Sequence, residues 1–316
     1  MTRVLVTGAN GFIGRALCET LAARGLAVRA AVRSPAALPG EVRTVGEIGA
    51  GTDWRRLLAH VDAVVHLAAR VHVLQDSAAD PLADYRAVNT AGTARLAHEC
   101  AAARVPRLVF VSSIKVNGEH TPGGWPFSEA DTPEPEDPYG VSKLEAEEAL
   151  WSVASATGLE VTVVRPCLVY GPGVRGNLNR LLRAIVRGIP LPLASVRNQR
   201  SLMGLANLCD LLVRCVTDPR AAGETFLASD GADLSTPRLI RWLADGVGRS
   251  ARLVAVPPRW LELAARLAGA QAAYQRLCGS LQVDSSKART LLEWRPPIPV
   301  DEGLRETGAW YRQHSR

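Results

Sequence analysis

Residues 3–14 constrain the fold more than any other stretch. The apolar run Arg3-Val4-Leu5-Val6-Thr7 leads directly into Gly8-Ala9-Asn10-Gly11-Phe12-Ile13-Gly14, and a helical pattern begins at once behind it. A buried strand that turns within a few residues into a helix needs glycine at defined places. Gly8 permits the sharp turn, Gly11 lets backbone approach a ligand, and Gly14 lets helix pack closely on strand. The unpaired N–H groups and dipole of the helix start then favour an anion, and the pyrophosphate of a dinucleotide suits this spacing. Phe12 and Ile13 would share that contact.

The rest of the first half keeps the same rhythm. Strands are expected near 3–7, 27–32, 42–45, 62–67, 107–112 and 160–165, with helices near 12–24, 54–60, 81–103 and 138–157 between them. Such alternation predicts an α/β fold with a doubly wound parallel sheet. After Gly171-Pro172-Gly173 the pattern loosens into proline-broken segments, with helices expected near 177–187, 207–217, 236–247, 258–276, 284–293 and 301–313. The expected organisation is a dinucleotide-binding Rossmann domain over 1–170, to which about 200–228 returns, and a smaller substrate-binding domain over 171–316.

Composition excludes several classes. The chain has 316 residues, 47% of them hydrophobic, enough for a substantial core. No window approaches the roughly 20 uncharged apolar residues of a membrane span, and the first strand begins too early for a signal peptide, so a cytoplasmic protein is expected. Six cysteines lie scattered without a Cys-x-x-Cys pair or histidines at metal spacing, which predicts neither disulfide nor metal site. The net charge of +6 comes without a basic run longer than Arg55-Arg56, so nucleic acid is not the expected partner.

Of the 37 basic residues only Lys115, Lys143 and Lys287 are lysine. Lys143 stands four residues after Tyr139 in Asp137-Pro138-Tyr139-Gly140-Val141-Ser142-Lys143, where Asp137 can cap a helix that Pro138 begins. Tyrosine and lysine then share one helix face, and the ammonium is expected to lower the phenol's pKa toward neutrality. A proton donor and acceptor results. The second strand ends Ala31-Val32-Arg33, without the acidic residue that would hold the ribose hydroxyls of NAD, and Arg33 suits the 2′-phosphate of NADP. NADP(H) is therefore expected over NAD(H). His66 is expected to be a packed strand-end histidine, and neither it nor His72 is expected to act in catalysis.

Taken together, these motifs resemble the extended short-chain dehydrogenase/reductase family, the NAD-dependent epimerase/dehydratase group, over nearly the whole chain. The matching stretches are Thr7 to Gly14, His66-Leu67-Ala68-Ala69, Asn89-Thr90-Ala91-Gly92-Thr93, Val111-Ser112-Ser113 with Val116 and Gly118, Tyr139 to Lys143, and Arg165-Pro166 with Tyr170-Gly171-Pro172. The resemblance implies that Ser113 hydrogen-bonds the reacting oxygen, Tyr139 moves the proton, and Lys143 holds the nicotinamide ribose. It implies cofactor contacts from Leu67, Ala68, Ala69 and Asn89, adenine contacts from Glu47 and Ile48, and passage of Pro166 and Leu168 by the nicotinamide. For a nucleotide-sugar diphosphate it points to Asn177, Arg200 and Arg276.

Dehydratases of the family carry an acidic pair after the catalytic serine, where this chain has Ile114 and Lys115. Hydride transfer at C4 of a UDP-sugar remains. Segments 113–119 and 276–284 resemble bacterial UDP-sugar 4-epimerases and reductases of UDP-4-keto-6-deoxy-N-acetylhexosamines in surface-polysaccharide assembly. With Arg33, the reductase is the expected activity and the epimerase its alternative. A non-sugar ketone reductase and a non-catalytic cofactor sensor are further alternatives. The helices near 81–103 and 138–157 are expected to pair in a homodimer.

Overall fold

The computed structural model describes residues 1–71 and 80–315; His72 lies outside them. Among the described residues, seven parallel strands form the main sheet, in the order β3-β2-β1-β4-β5-β6-β9. They are β1 (Arg3–Thr7), β2 (Ala27–Val32), β3 (Glu41–Thr44), β4 (Ala63–His66), β5 (Arg107–Val111), β6 (Glu160–Pro166) and β9 (Thr225–Ala228), while β7 (Leu168–Tyr170) and β8 (Leu202–Gly204) form a separate parallel pair. Strand order reverses between β1 and β4, the position where doubly wound sheets bind ligands at the carboxyl ends of their strands.

Alternation along each strand feeds two cores. Val4 and Val6 of β1 face one cluster with Leu17 and Leu21 of the helix Phe12–Ala23 and Leu208 and Leu212 of the helix Leu205–Thr217. Leu5 faces the other, with Leu96 of the helix Ala91–Ala102 and Leu150 of the helix Pro138–Thr157. A third cluster joins the helices Gly176–Val186, Thr236–Val247 and Val300–His314 around Leu182, Ile240, Leu243 and Leu304.

The structure refines the expected elements. The helix expected near 81–103 is Pro81–Tyr85, a π turn over Arg86–Thr90, and Ala91–Ala102. The one expected near 258–276 breaks at Gly269 (φ +63°) into Pro258–Leu267 and Gln271–Cys278. β7, β8 and β9 are three or four residues long, too short for a two-residue period to stand out. No helix among the described residues is long and apolar enough to cross a membrane.

Candidate active site

The glycine loop forms a cradle that side chains would fill. Gly8 has φ +65°, and a Cβ there would lie 2.8 Å from the Ala68 nitrogen. A Cβ at Gly14 would lie 2.3 Å from the Gly8 carbonyl oxygen, and one at Gly11 3.1 Å from the same atom. The helix Phe12–Ala23 starts behind Gly11 without a side-chain cap, leaving its first N–H groups for a ligand. Phe12 and Ile13 are half-buried against the core. These residues fit a dinucleotide pyrophosphate.

Thr7 ties the loop to the next strand end. Its hydroxyl oxygen accepts from the Leu67 and Ala68 nitrogens, both at 3.2 Å, and lies 2.6 Å from His66 Nδ1. His66 is fully buried, with Nε2 3.0 Å from the Thr93 hydroxyl, and burial first, then the nearby Lys143 charge, pulls its pKa down to about 3. It is a packed, neutral histidine. Asn89, on the π turn, accepts from the Arg70 nitrogen (2.8 Å) and donates to the Ser142 hydroxyl (2.9 Å), which fastens the segment after Ala69 to the catalytic helix.

Asp137 caps that helix by accepting from the Gly140 nitrogen at 2.7 Å, and Pro138 occupies its first turn. Tyr139 is half-buried and hydrogen-bonded to the Ser113 hydroxyl. Lys143 is buried and donates to the Val111 carbonyl at 2.8 Å, with its ammonium 4.4 Å from the centre of the Phe110 ring. Burial pulls its pKa down to about 7, against the attraction of Glu147. The phenol moves the other way from the expectation. Burial, then Asp137 and Tyr85, holds its pKa above the ordinary 10, and only the Ser113 hydrogen bond lowers it. The reason is geometric, because Lys143 is turned to Val111 and lies 6.0 Å from the tyrosine ring centre.

Two sets of groups escaped the sequence reading. Lys115 reaches Glu119 and Asp137, each at 2.5 Å. Behind Lys143, Glu147 accepts from Arg165 Nη2 at 2.5 Å and Nε at 3.0 Å and from the Ser112 hydroxyl, while Arg165 Nη1 reaches Asn117 at 3.0 Å. The available signal was Glu147's position one turn beyond Lys143 on the same face.

The other candidates divide. Pro166 is buried at the end of β6, Leu168 is 44% exposed, and half-buried Ile48 touches the position a Cβ on Gly92 would take. Glu47 is exposed, and so is Arg33, directly beyond β2. Arg200 is mostly buried, donates to the Gly279 carbonyl at 2.9 Å, and feels the nearby Cys167 and Glu119. Asn177 and Arg276 are exposed, at the start of the helix Gly176–Val186 and near the end of Gln271–Cys278.

A glycine cradle at the switch point beside a Ser-Tyr-Lys set defines a nicotinamide-dependent short-chain oxidoreductase site. Residues 4–228 match the NAD dependent epimerase/dehydratase family, and the chain belongs to it. A UDP-glucose 4-epimerase of Vibrio cholerae is 43% identical over 98% of this chain and 95% of its own length. MoeE5, solved with UDP-glucose and NAD, is 28% identical with a TM-score of 0.79, covering 99% of this chain and 100% of its own. The UDP-N-acetylglucosamine 4-epimerase of Bacillus cereus has the same fold, with a TM-score of 0.81 at 23% identity over 99% of this chain and 100% of its own.

Proposed function

We propose that the protein is an NAD-dependent UDP-sugar 4-epimerase. The observation that carries the reading is the 43% identity to the Vibrio cholerae UDP-glucose 4-epimerase across nearly both chains, in a protein whose Ser113, Tyr139 and Lys143 are all present. This replaces the ketoreductase as the favoured activity. That expectation, and the preference for NADP(H), rested on Arg33, an exposed side chain for which no hydrogen bond or ion pair fixes a phosphate-binding pose among the described residues. NAD in MoeE5 and in the family's description favours NAD here.

In this reading residues 1–170 and about 200–228 hold the dinucleotide, and 171–316 supply the sugar-nucleotide cleft. The Gly8–Gly14 loop, Leu67, Ala68, Ala69 and Lys143 would hold an NAD whose nicotinamide, when bound, would supply hydride transfer out and back at C4 and a positive charge beside the phenol. Tyr139 takes the proton from the C4 hydroxyl and gives it back, while Ser113 holds that oxygen. Lys143 orients the ribose. Arg200, with Asn177 and Arg276, faces the diphosphate, for which a guanidinium's paired donors are suited.

The test is incubation of the purified protein with UDP-glucose or UDP-N-acetylglucosamine without added cofactor. Expected are the 4-epimer by NMR, constant absorbance at 340 nm, and NAD released on denaturation. Stoichiometric NADPH consumption with a UDP-4-keto-6-deoxy sugar, and no epimer, would restore the reductase.

A further inference from the structure

The charge of this chain is unevenly distributed. Residues 171–200 contain six arginines and no acid, and residues 246–283 contain five arginines and one acid, Glu262. These stretches carry net +10, whereas the whole chain carries +6, so the remainder is net −4. They are neighbours in space. Leu191 accepts from and donates to the segment around Leu253, through Leu191 N to Arg252 O (2.8 Å) and Val254 N to Leu191 O (2.9 Å). The single acid is already paired, Glu262 with Arg266 at 2.6 Å.

The same two stretches also expose apolar side chains. On the helix Pro258–Leu267, Trp260 (55% exposed), Leu263 (46%) and Leu267 (83%) recur at helical spacing and form an outward stripe, and neither this helix nor Gln271–Cys278 buries a residue fully. Ile189, Val254 and Leu277 are also exposed within these stretches. On the helix Gly176–Val186 and just past its end, Arg180, Arg183 and Arg187 are exposed while Leu181, Leu182 and Ile185 pack inward.

The geometry points to a peripheral membrane-docking surface on the second lobe, whose occupant is an anionic lipid bilayer. Trp260, Leu263 and Leu267 enter the interfacial region, and the arginines meet acidic headgroups, the combination by which amphipathic helices lie on membranes without crossing them. A second copy of the chain is disfavoured as occupant, because two surfaces of this charge repel. A nucleic acid would satisfy the charge and leave the apolar stripe in water. Arg200 and Arg276, placed above at the diphosphate, are not part of this surface; without them the two stretches still carry net +8, and the remaining side chains stand apart from the proposed reaction.

The test is co-sedimentation of the full-length protein with vesicles of phosphatidylcholine alone or with about one-third phosphatidylglycerol. Binding is expected only to the anionic vesicles and should weaken at high salt. Arg180→Gln/Arg183→Gln/Arg187→Gln should lower the partition coefficient roughly 100-fold, from about 5-fold per surface arginine. Trp260→Ala/Leu263→Ala/Leu267→Ala should lower it by at least about 100-fold. Both triple variants should retain cofactor content and circular dichroism, which shows that they fold. No binding to anionic vesicles, or binding that both variants retain, overturns the proposal. So does loss of an oligomer in the apolar variant by light scattering, because the stripe is then a subunit contact.

Discussion

Glu147→Gln tests whether the buried ion pair behind the catalytic lysine supports the site. Glu147 and Arg165 are 1% and 6% exposed, and the carboxylate accepts from two guanidinium nitrogens and from Ser112. Glutamine keeps the shape and one acceptor oxygen but removes the charge, leaving Arg165 buried with only the neutral Asn117 and the new amide beside it. Breaking a buried pair from one side costs about 3–5 kcal/mol, a large share of a total near 5–15 kcal/mol. Urea denaturation should show that loss, and replacing both partners, Glu147→Leu with Arg165→Met, should recover most of it. A second readout separates support of the site from simple stability. Glu147 raises the pKa of Lys143 from the low value burial imposes, so without it the ammonium is lost at lower pH than about 7. The falling limb of the kcat/KM profile should then move toward acid. A stability change under about 1 kcal/mol, with an unmoved pH profile, would refute the argument.

Tyr139→Phe should lower turnover about 100- to 10,000-fold while the protein retains its cofactor, as measured by activity and by dinucleotide content after denaturation. Arg33→Ala should change NAD-supported epimerisation less than about ten-fold; a larger loss confined to an NADPH-dependent reduction would favour the 2′-phosphate role. His66 has a folded pKa of about 3, below its unfolded value near 6.5, so the unfolded chain takes the proton first as pH falls. Its contribution is full above pH 6.5 and lost between 6.5 and 3, on the order of 5 kcal/mol, and the slope of urea stability against pH in that window should shrink in His66→Gln. Pairing of the helices Ala91–Ala102 and Pro138–Thr157 with their copies predicts a dimer by light scattering, and a monomer at micromolar concentration would remove it.

The first half was legible because its signals are local. A glycine between strand and helix, or a tyrosine and lysine one turn apart, is fixed by residues adjacent in sequence, and Gly8, Gly14, Tyr139 and Lys143 occupy the expected elements. What the sequence hid depends on contacts made far along the chain. β9, beside β6 in the main sheet, was not among the expected strands, although residues about 200–228 were expected to return to the first domain. The direction of the Tyr139 pKa was hidden for the same reason. Spacing puts Lys143 on the same face, but the Val111 carbonyl, from a strand 32 residues away, captures the ammonium.

Lys115 shows how one position carries both kinds of information. As a sequence letter it is the absence of an acid where a dehydratase needs one, and it disfavours that chemistry. In the fold it is a cation between Glu119 and Asp137, the residue that caps the catalytic helix and whose charge raises the Tyr139 pKa. The position that disfavours elimination in the sequence thus holds, in the fold, the carboxylate that caps the catalytic helix.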